Sequence, residues 1–117
     1  IEELKMINVN RELTPYYFNA ANLHLLTSDF EGSPNSVKES MSCNTPVVSR
    51  DVGNVRELFE GVDSCRIGSE SPKDLAELCL KIMDLKTINS RDAIIKKKLD
   101  IQSVAKNLKD LYINLIK

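Results

Sequence analysis

Glu31 and Glu39 stand at either end of the run EGSPNSVKE, with seven residues between them. Between them Ser33-Pro34-Asn35-Ser36 reads as the opening of a helix. Ser33 is the expected hydroxyl cap and Pro34 the expected first helical residue, where a missing amide hydrogen has no consequence. The amides that follow point out of the helix end with no internal partner, and together with the positive end of the helix dipole they suit a phosphate without a lysine. A carboxylate beside a diphosphate is repelled unless it faces neutral hydrogen-bond donors, and sugar hydroxyls are such donors. Glu39 falls five residues past Pro34, roughly 7.5 Å along the axis at the α-helical rise, about the step from a diphosphate to the ribose of the same nucleotide. Glu31 lies on the other side of the helix start, where a sugar on the far phosphate would sit. The two acids would bracket a nucleotide sugar.

The flanking elements have to place this segment. Leu13 to Ala21 reads as a short helix, with Thr14 as cap and Pro15 at its first position, and Leu23 to Ser28 as a short buried strand. The helix opened by Ser33 is expected to run to about Cys43, followed by the β-branched strand Pro46 to Ser49. Strand, helix and strand over so few residues imply a parallel pair. The pattern recurs: Asn54 and Glu57 have capping-box spacing before a helix, and Ser64 to Ile67 supplies another strand. Ser71 caps an amphipathic helix carrying Leu75, Leu78, Cys79, Ile82 and Leu85, Ala93 to Leu99 is helical, and a terminal helix over about 101–116 repeats the apolar period. The fold class is therefore α/β, a doubly wound parallel sheet of three or four strands with flanking helices. Ligands of such sheets sit outside the carboxyl ends of the strands, where Glu31 to Ser36 falls.

Composition narrows the classes. With 16 basic against 17 acidic residues and no basic stripe, nucleic acid is not an expected partner. Apolar runs such as Leu23 to Leu26 are too short for a direct membrane span. Cys43, Cys65 and Cys79 form no Cys-x-x-Cys pair, which fits a reducing cytoplasm and three small buried hydrophobes. The length of 117 residues suits a single domain, and the start at Ile1 inside an apparent element suggests a truncated one.

The segment EGSPNSVKESMSCNTPVVS resembles the Glu-x(7)-Glu signature of family 4 retaining glycosyltransferases. YYFNAANLHLLTS and DVGNVREL are similar to that family's flanks, and Leu111-Tyr112 to its closing helix. The resemblance implies the carboxyl-terminal half of a glycosyltransferase-B fold, a Rossmann-like domain holding a nucleotide-sugar donor with no metal. It implies a nucleotide-sugar-dependent hexosyl- or other glycosyltransferase of polysaccharide or glycoconjugate biosynthesis, cytoplasmic and membrane-peripheral in the full-length protein. By position, Glu31 is the expected catalytic residue, contacting donor-sugar hydroxyls and orienting the sugar rather than attacking it. Gly32, Ser33, Pro34, Asn35 and Ser36 surround sugar and diphosphate, Glu39 takes the ribose diol, and Asn8 and Asn10 line the base. A glycan or lipid-linked acceptor, and the basic residues for the diphosphate, would belong to an amino-terminal domain preceding Ile1, so the fragment alone is expected to be inactive.

Pro34, Asn44 and Asn54 depart from the family, which commonly has glycine at each of these positions. Pro34 offers no amide, so one backbone contact is absent or moved, whereas Asn44 tolerates a left-handed turn. The alternative function is a non-catalytic Rossmann-like binding or interaction module of a glycosylation complex. A phosphate-sensing domain of flavodoxin-like topology lacks its cluster of strand-end aspartates. Asp29-Phe30-Glu31 has the alternation of an Asp-x-Asp metal site but no third ligand, and reads as exposed acids at a strand end. His24 reads as a core or interface histidine, Glu57 as a cap, Lys96 to Lys98 as a solvated face, and the terminal helix as one placed to pack on a further domain.

Overall fold

The computed structural model describes residues 2–117. Three short strands, β1 (His24–Leu26), β2 (Val47–Arg50) and β3 (Cys65–Gly68), pair in parallel in the order β1-β2-β3. The register sets His24 against Val47 and Val47 against Cys65. Parallel neighbours need crossover helices, here α2 (Asn35–Ser42) and α3 (Val55–Phe59), and right-handed crossovers put both on one face. Val37 and Met41 of α2 and Val55, Leu58 and Phe59 of α3 pack there with Val47, Cys65 and Ile94 of α5 (Ser90–Lys96). Leu75 and Ile82 of α4 (Pro72–Met83) cover the other face against Val48. Val47 and Val48, fully buried neighbours in the central strand, thus serve opposite faces, as the pleat requires. The architecture is the expected Rossmann-like α/β sheet with helices on both sides. Its three described strands run in simple sequence without a reversal of order.

Helix boundaries agree with the sequence reading where a cap side chain operates, and differ where it does not. Ser71 accepts the Asp74 amide, and the Asp74 carboxylate accepts the Ser69 amide at 2.6 Å, so α4 starts as expected. Thr14 is not a cap: a 3-10 turn, Arg11–Leu13, runs directly into α1 (Thr14–Ala20), and Asn10 caps that turn by accepting the Glu12 amide at 3.1 Å. The capping box of Asn54 and Glu57 does not form either. Asn54 sits at φ −100° and ψ 23°, short of the extended backbone that aims a cap side chain at the helix. Asn44 takes the left-handed turn at φ 62° and does more, because its Oδ1 accepts the Arg91 amide at 3.0 Å and ties the end of α2 to α5. The terminal helix α6 (Ile101–Ile116) has Asp100 as its cap and buries none of its residues. Its stripe Ile101, Val104, Leu108, Leu111 and Leu115 is exposed.

The three cysteines are free; Cys65 is buried, whereas Cys43 and Cys79 are only half-buried. Burial pushes the Cys65 thiol up to about 12, and it also raises Cys43 and Cys79, so none favours the reactive thiolate. His24 lies on β1 beside the Phe18 ring, centroids 5.2 Å apart, with Nδ1 buried and lacking a partner among the described residues. Burial lowers its pKa from 6.5 to about 4. Because the folded protein disfavours the imidazolium, this contribution to stability is fully present above pH 6.5 and is lost as pH falls through about 4. Urea unfolding midpoints measured across that interval should therefore fall more steeply in the wild type than in His24→Leu, and parallel slopes would contradict the assignment.

Candidate functional site

All three strand-to-helix loops that leave the carboxyl ends of the strands meet at one end of the sheet. The first, after β1, carries Glu31 into α2. Pro34, at φ −65° and ψ 115°, is the N-cap rather than the first helical residue, and no side chain caps the helix. The expected boundary is therefore off by one: the proline φ suits either position, but its ψ holds it outside the helix. Ser33 is not the cap, because its Oγ accepts the Lys38 ammonium at 3.1 Å. The first helical bond runs from the Lys38 amide to the Pro34 carbonyl at 3.4 Å. The amides of Asn35, Ser36 and Val37 thus have no carbonyl behind them. Pro34 is buried, Ser33 and Asn35 are exposed, and Ser36 is half-buried, so the helix opening faces solvent. Sequence reasoning missed Lys38, which folds back from inside the helix to put a positive charge at its start; the only signal for it was the reach of a lysine over one turn.

Glu31 and Glu39 are both half-buried, and among the described residues neither carboxylate is engaged in an ion pair or side-chain hydrogen bond. Gly32, exposed beside Glu31, accepts the Asn54 amide through its carbonyl at 3.0 Å, joining the loops after β1 and β2. Gly53 makes that junction possible. It adopts φ +53°, and a Cβ there would lie 2.2 Å from the Gly32 oxygen and 2.9 Å from the Glu31 oxygen. Sequence reasoning had Gly53 only as part of a matched flank. The buried Oδ1 of Asn54 has no partner among the described residues.

Arg50, the last residue of β2, pairs with Asp29 of the first loop and with Glu70 of the third at 2.7 Å. Asp29 is thereby committed to a guanidinium. Asn8, exposed at φ 55°, and Asn10, whose Oδ1 is used as a cap, lie on a separate segment ahead of α1. An open concavity of about 770 Å³ runs between α3 and the outer edge of β3, reaching the carboxyl end of the sheet at Gly53 and Asn54. Glu31 and Glu39 do not line it, so the arrangement of amides and carboxylates, not an enclosed cavity, defines the candidate site.

The family model for glycosyl transferases group 1 matches residues 5–84, from ahead of the 3-10 turn to the end of α4. The chain belongs to this family. Its parallel sheet with helices on both faces is accordingly the Rossmann-like half-domain of a glycosyltransferase-B fold, and the matched span contains every loop just described. No match is found among curated proteins or among solved structures. No helix of the described residues is long and apolar enough to cross a membrane.

In this glycosyl transferase domain the contact of Gly53 with Gly32 can be separated from backbone strain alone. Gly61 is also left-handed, at φ +73°, but has open space where a Cβ would go. Gly61→Ala should cost about 1–2 kcal/mol of stability, the usual left-handed penalty. Gly53→Ala adds the clash with the Gly32 carbonyl and should cost more; equal losses in denaturant unfolding would mean that the two loops do not meet as described.

Proposed function

We propose that this chain is the donor-binding, carboxyl-terminal half of a family 4 retaining glycosyltransferase, and that Glu31 and Glu39 are its Glu-x(7)-Glu pair. The observation that carries the reading is the uncapped start of α2, with one unpaired carboxylate before it and one after it. A nucleoside diphosphate sugar satisfies both requirements: its diphosphate takes the free amides, and its neutral sugar hydroxyls take the carboxylates. With the helix starting at Asn35, Glu39 keeps its place one turn along, suited to the ribose diol. Glu31 accepts hydroxyls of the transferred sugar. Lys38 adds an ammonium that can move from Ser33 Oγ to a phosphate oxygen, a contact that offsets the amide Pro34 cannot supply.

In the transfer step the bond between the anomeric carbon and the distal phosphate oxygen breaks, and its electron pair leaves on the diphosphate. The acceptor hydroxyl adds on the same face, with overall retention, and its proton passes to the departing phosphate. Amides already aimed at the diphosphate stabilise the charge that develops there without reorganising. The Glu31 carboxylate, beside the transferred sugar, favours the positive character of its oxocarbenium-like transition state. The reading assigns no metal role to Asp29-Phe30-Glu31, since Asp29 serves Arg50. Acceptor recognition, whether of a glycan or a lipid-linked sugar, falls to a facing domain, and Asn8 and Asn10 remain the proposed base contacts.

Calorimetric titration of the full-length protein with UDP, GDP, ADP and CDP tests the reading. One of these should bind, and Glu39→Ala should weaken it about 10- to 100-fold, the value of a hydrogen bond to a charged group. Glu31→Ala should leave that diphosphate unaffected while weakening the matching nucleotide sugar. A wild type that binds none of the four, or a Glu39→Ala variant that binds as well as the wild type, would favour an interaction module over a transferase.

A further inference from the structure

The three loops at the carboxyl end of the sheet are linked by a residue that the donor-site reading leaves without a role. Arg50 closes the central strand, and its register partner in β3 is Gly68. Extending the β1 register by one residue sets Thr27 on its other side. Glu70 stands two residues past Gly68, and Asp29 two past Thr27, so the guanidinium has an acid at the same offset on each flank and pairs with both. Its side chain is 17% exposed, against 74% for Asp29 and 87% for Glu70, so the arginine is the fixed member and the acids come to it.

Strand alternation determines where this pull acts. Arg50 is two residues from Val48, which packs against α4, so its side chain leaves the sheet on the α4 face. The other attachment of the same loop, Gly32 to Asn54, lies at the start of α3 on the opposite face. The segment from Asp29 to Gly32 therefore passes over the end of β2, held on one face by Arg50 and on the other by Asn54. Phe30 and Glu31 lie between these two attachments. Phe30 is 92% exposed, so no packing of its own steadies the segment, and the two end contacts must fix the backbone that carries Glu31.

We infer that Arg50 is a positioning residue for the donor sugar: by holding Asp29, it sets the place of Glu31 without touching the substrate. This rests on the donor-site reading above. It makes a demand that a merely structural ion pair does not. Both acids are exposed, which limits what the pairs add to stability, and methionine keeps an apolar stem in the place of the mostly buried arginine, so Arg50→Met should leave the fold and the diphosphate site intact. It should reduce only the affinity that the sugar adds.

The test uses the full-length protein and whichever pair the wild type binds best among UDP and UDP-glucose, GDP and GDP-mannose, or ADP and ADP-glucose. For Arg50→Met the sugar nucleotide should weaken roughly tenfold, the scale of one lost hydrogen bond to the sugar, while the diphosphate binds as in the wild type. Asp29→Asn, which keeps the arginine but loosens its grip on the loop, should shift the same ratio in the same direction. Arg50→Lys, with one ammonium for two acids, should fall between wild type and Arg50→Met. An unchanged ratio in both Arg50→Met and Asp29→Asn overturns the positioning role while leaving the donor site standing. Loss of diphosphate and sugar nucleotide in equal measure in both variants also overturns it, since the effect is then general. A wild type that binds no nucleoside diphosphate removes the donor site itself, and this inference with it.

Discussion

The opening turn of α2 leaves the amides of Asn35, Ser36 and Val37 without acceptors, and the remaining features of the site follow from that. Other element starts in this chain have side-chain acceptors: Asn10 at the 3-10 turn, Ser71 at α4, Asp100 at α6, and Asn44, reaching across from α2, at α5. The short α3 is also uncapped, but the amide of its N-cap residue Asn54 is used on Gly32. At α2 the cap position holds Pro34, which has neither an amide to donate nor a side-chain oxygen to accept. The partial positive charge of a helix start is therefore left open to solvent, at the end of the sheet where parallel α/β folds place their ligands.

Such an opening is useful only if the groups around it hold still. The sheet supplies that rigidity cheaply: parallel strands end side by side, and short contacts between successive loops fix each against the next. Gly32 meets Asn54 across the bare Gly53, and Arg50 reaches outward to both neighbours of its strand. Charge is arranged in the same economical way. Asp29 and Glu70 both pair with Arg50, whereas Glu31 and Glu39 have no ion-pair partner among the described residues and Lys38 leans over the helix start. Around this opening, Asp29 and Glu70 tie loops together through Arg50, whereas the proposed function gives the carboxylates of Glu31 and Glu39 to sugar hydroxyls.

The order of elements was legible in the sequence because local patterns agreed with one another. β-branched Val47-Val48 behind Pro46 marked the central strand, and spacings of three and four marked α4 and α6. Ser71-Pro72 placed the start of α4 to the residue, because hydroxyl, proline and Asp74 all act in one turn. Ser33-Pro34 looked the same and was misread by one residue. Whether proline stands inside or outside a helix depends on its ψ, which the junction of the preceding loop with the helix sets and the residue type does not. Thr14 and Asn54 failed for a related reason: each has the right side chain for a cap, on a backbone that neighbouring turns hold in another conformation. The long-range ties were beyond local reading. Nothing near Arg50 names Asp29 or Glu70, 21 and 20 residues away, and the reason Gly53 must lack a side chain appears only when Gly32 arrives from another loop.

A structure of the full-length protein with its preferred nucleoside diphosphate bound tests the central claim most directly. The account expects phosphate oxygens within hydrogen-bonding distance of the Asn35 and Ser36 amides, with a Glu39 oxygen on the ribose hydroxyls. Phosphates bound elsewhere, with those amides still facing solvent and Glu39 turned from the sugar, would contradict it.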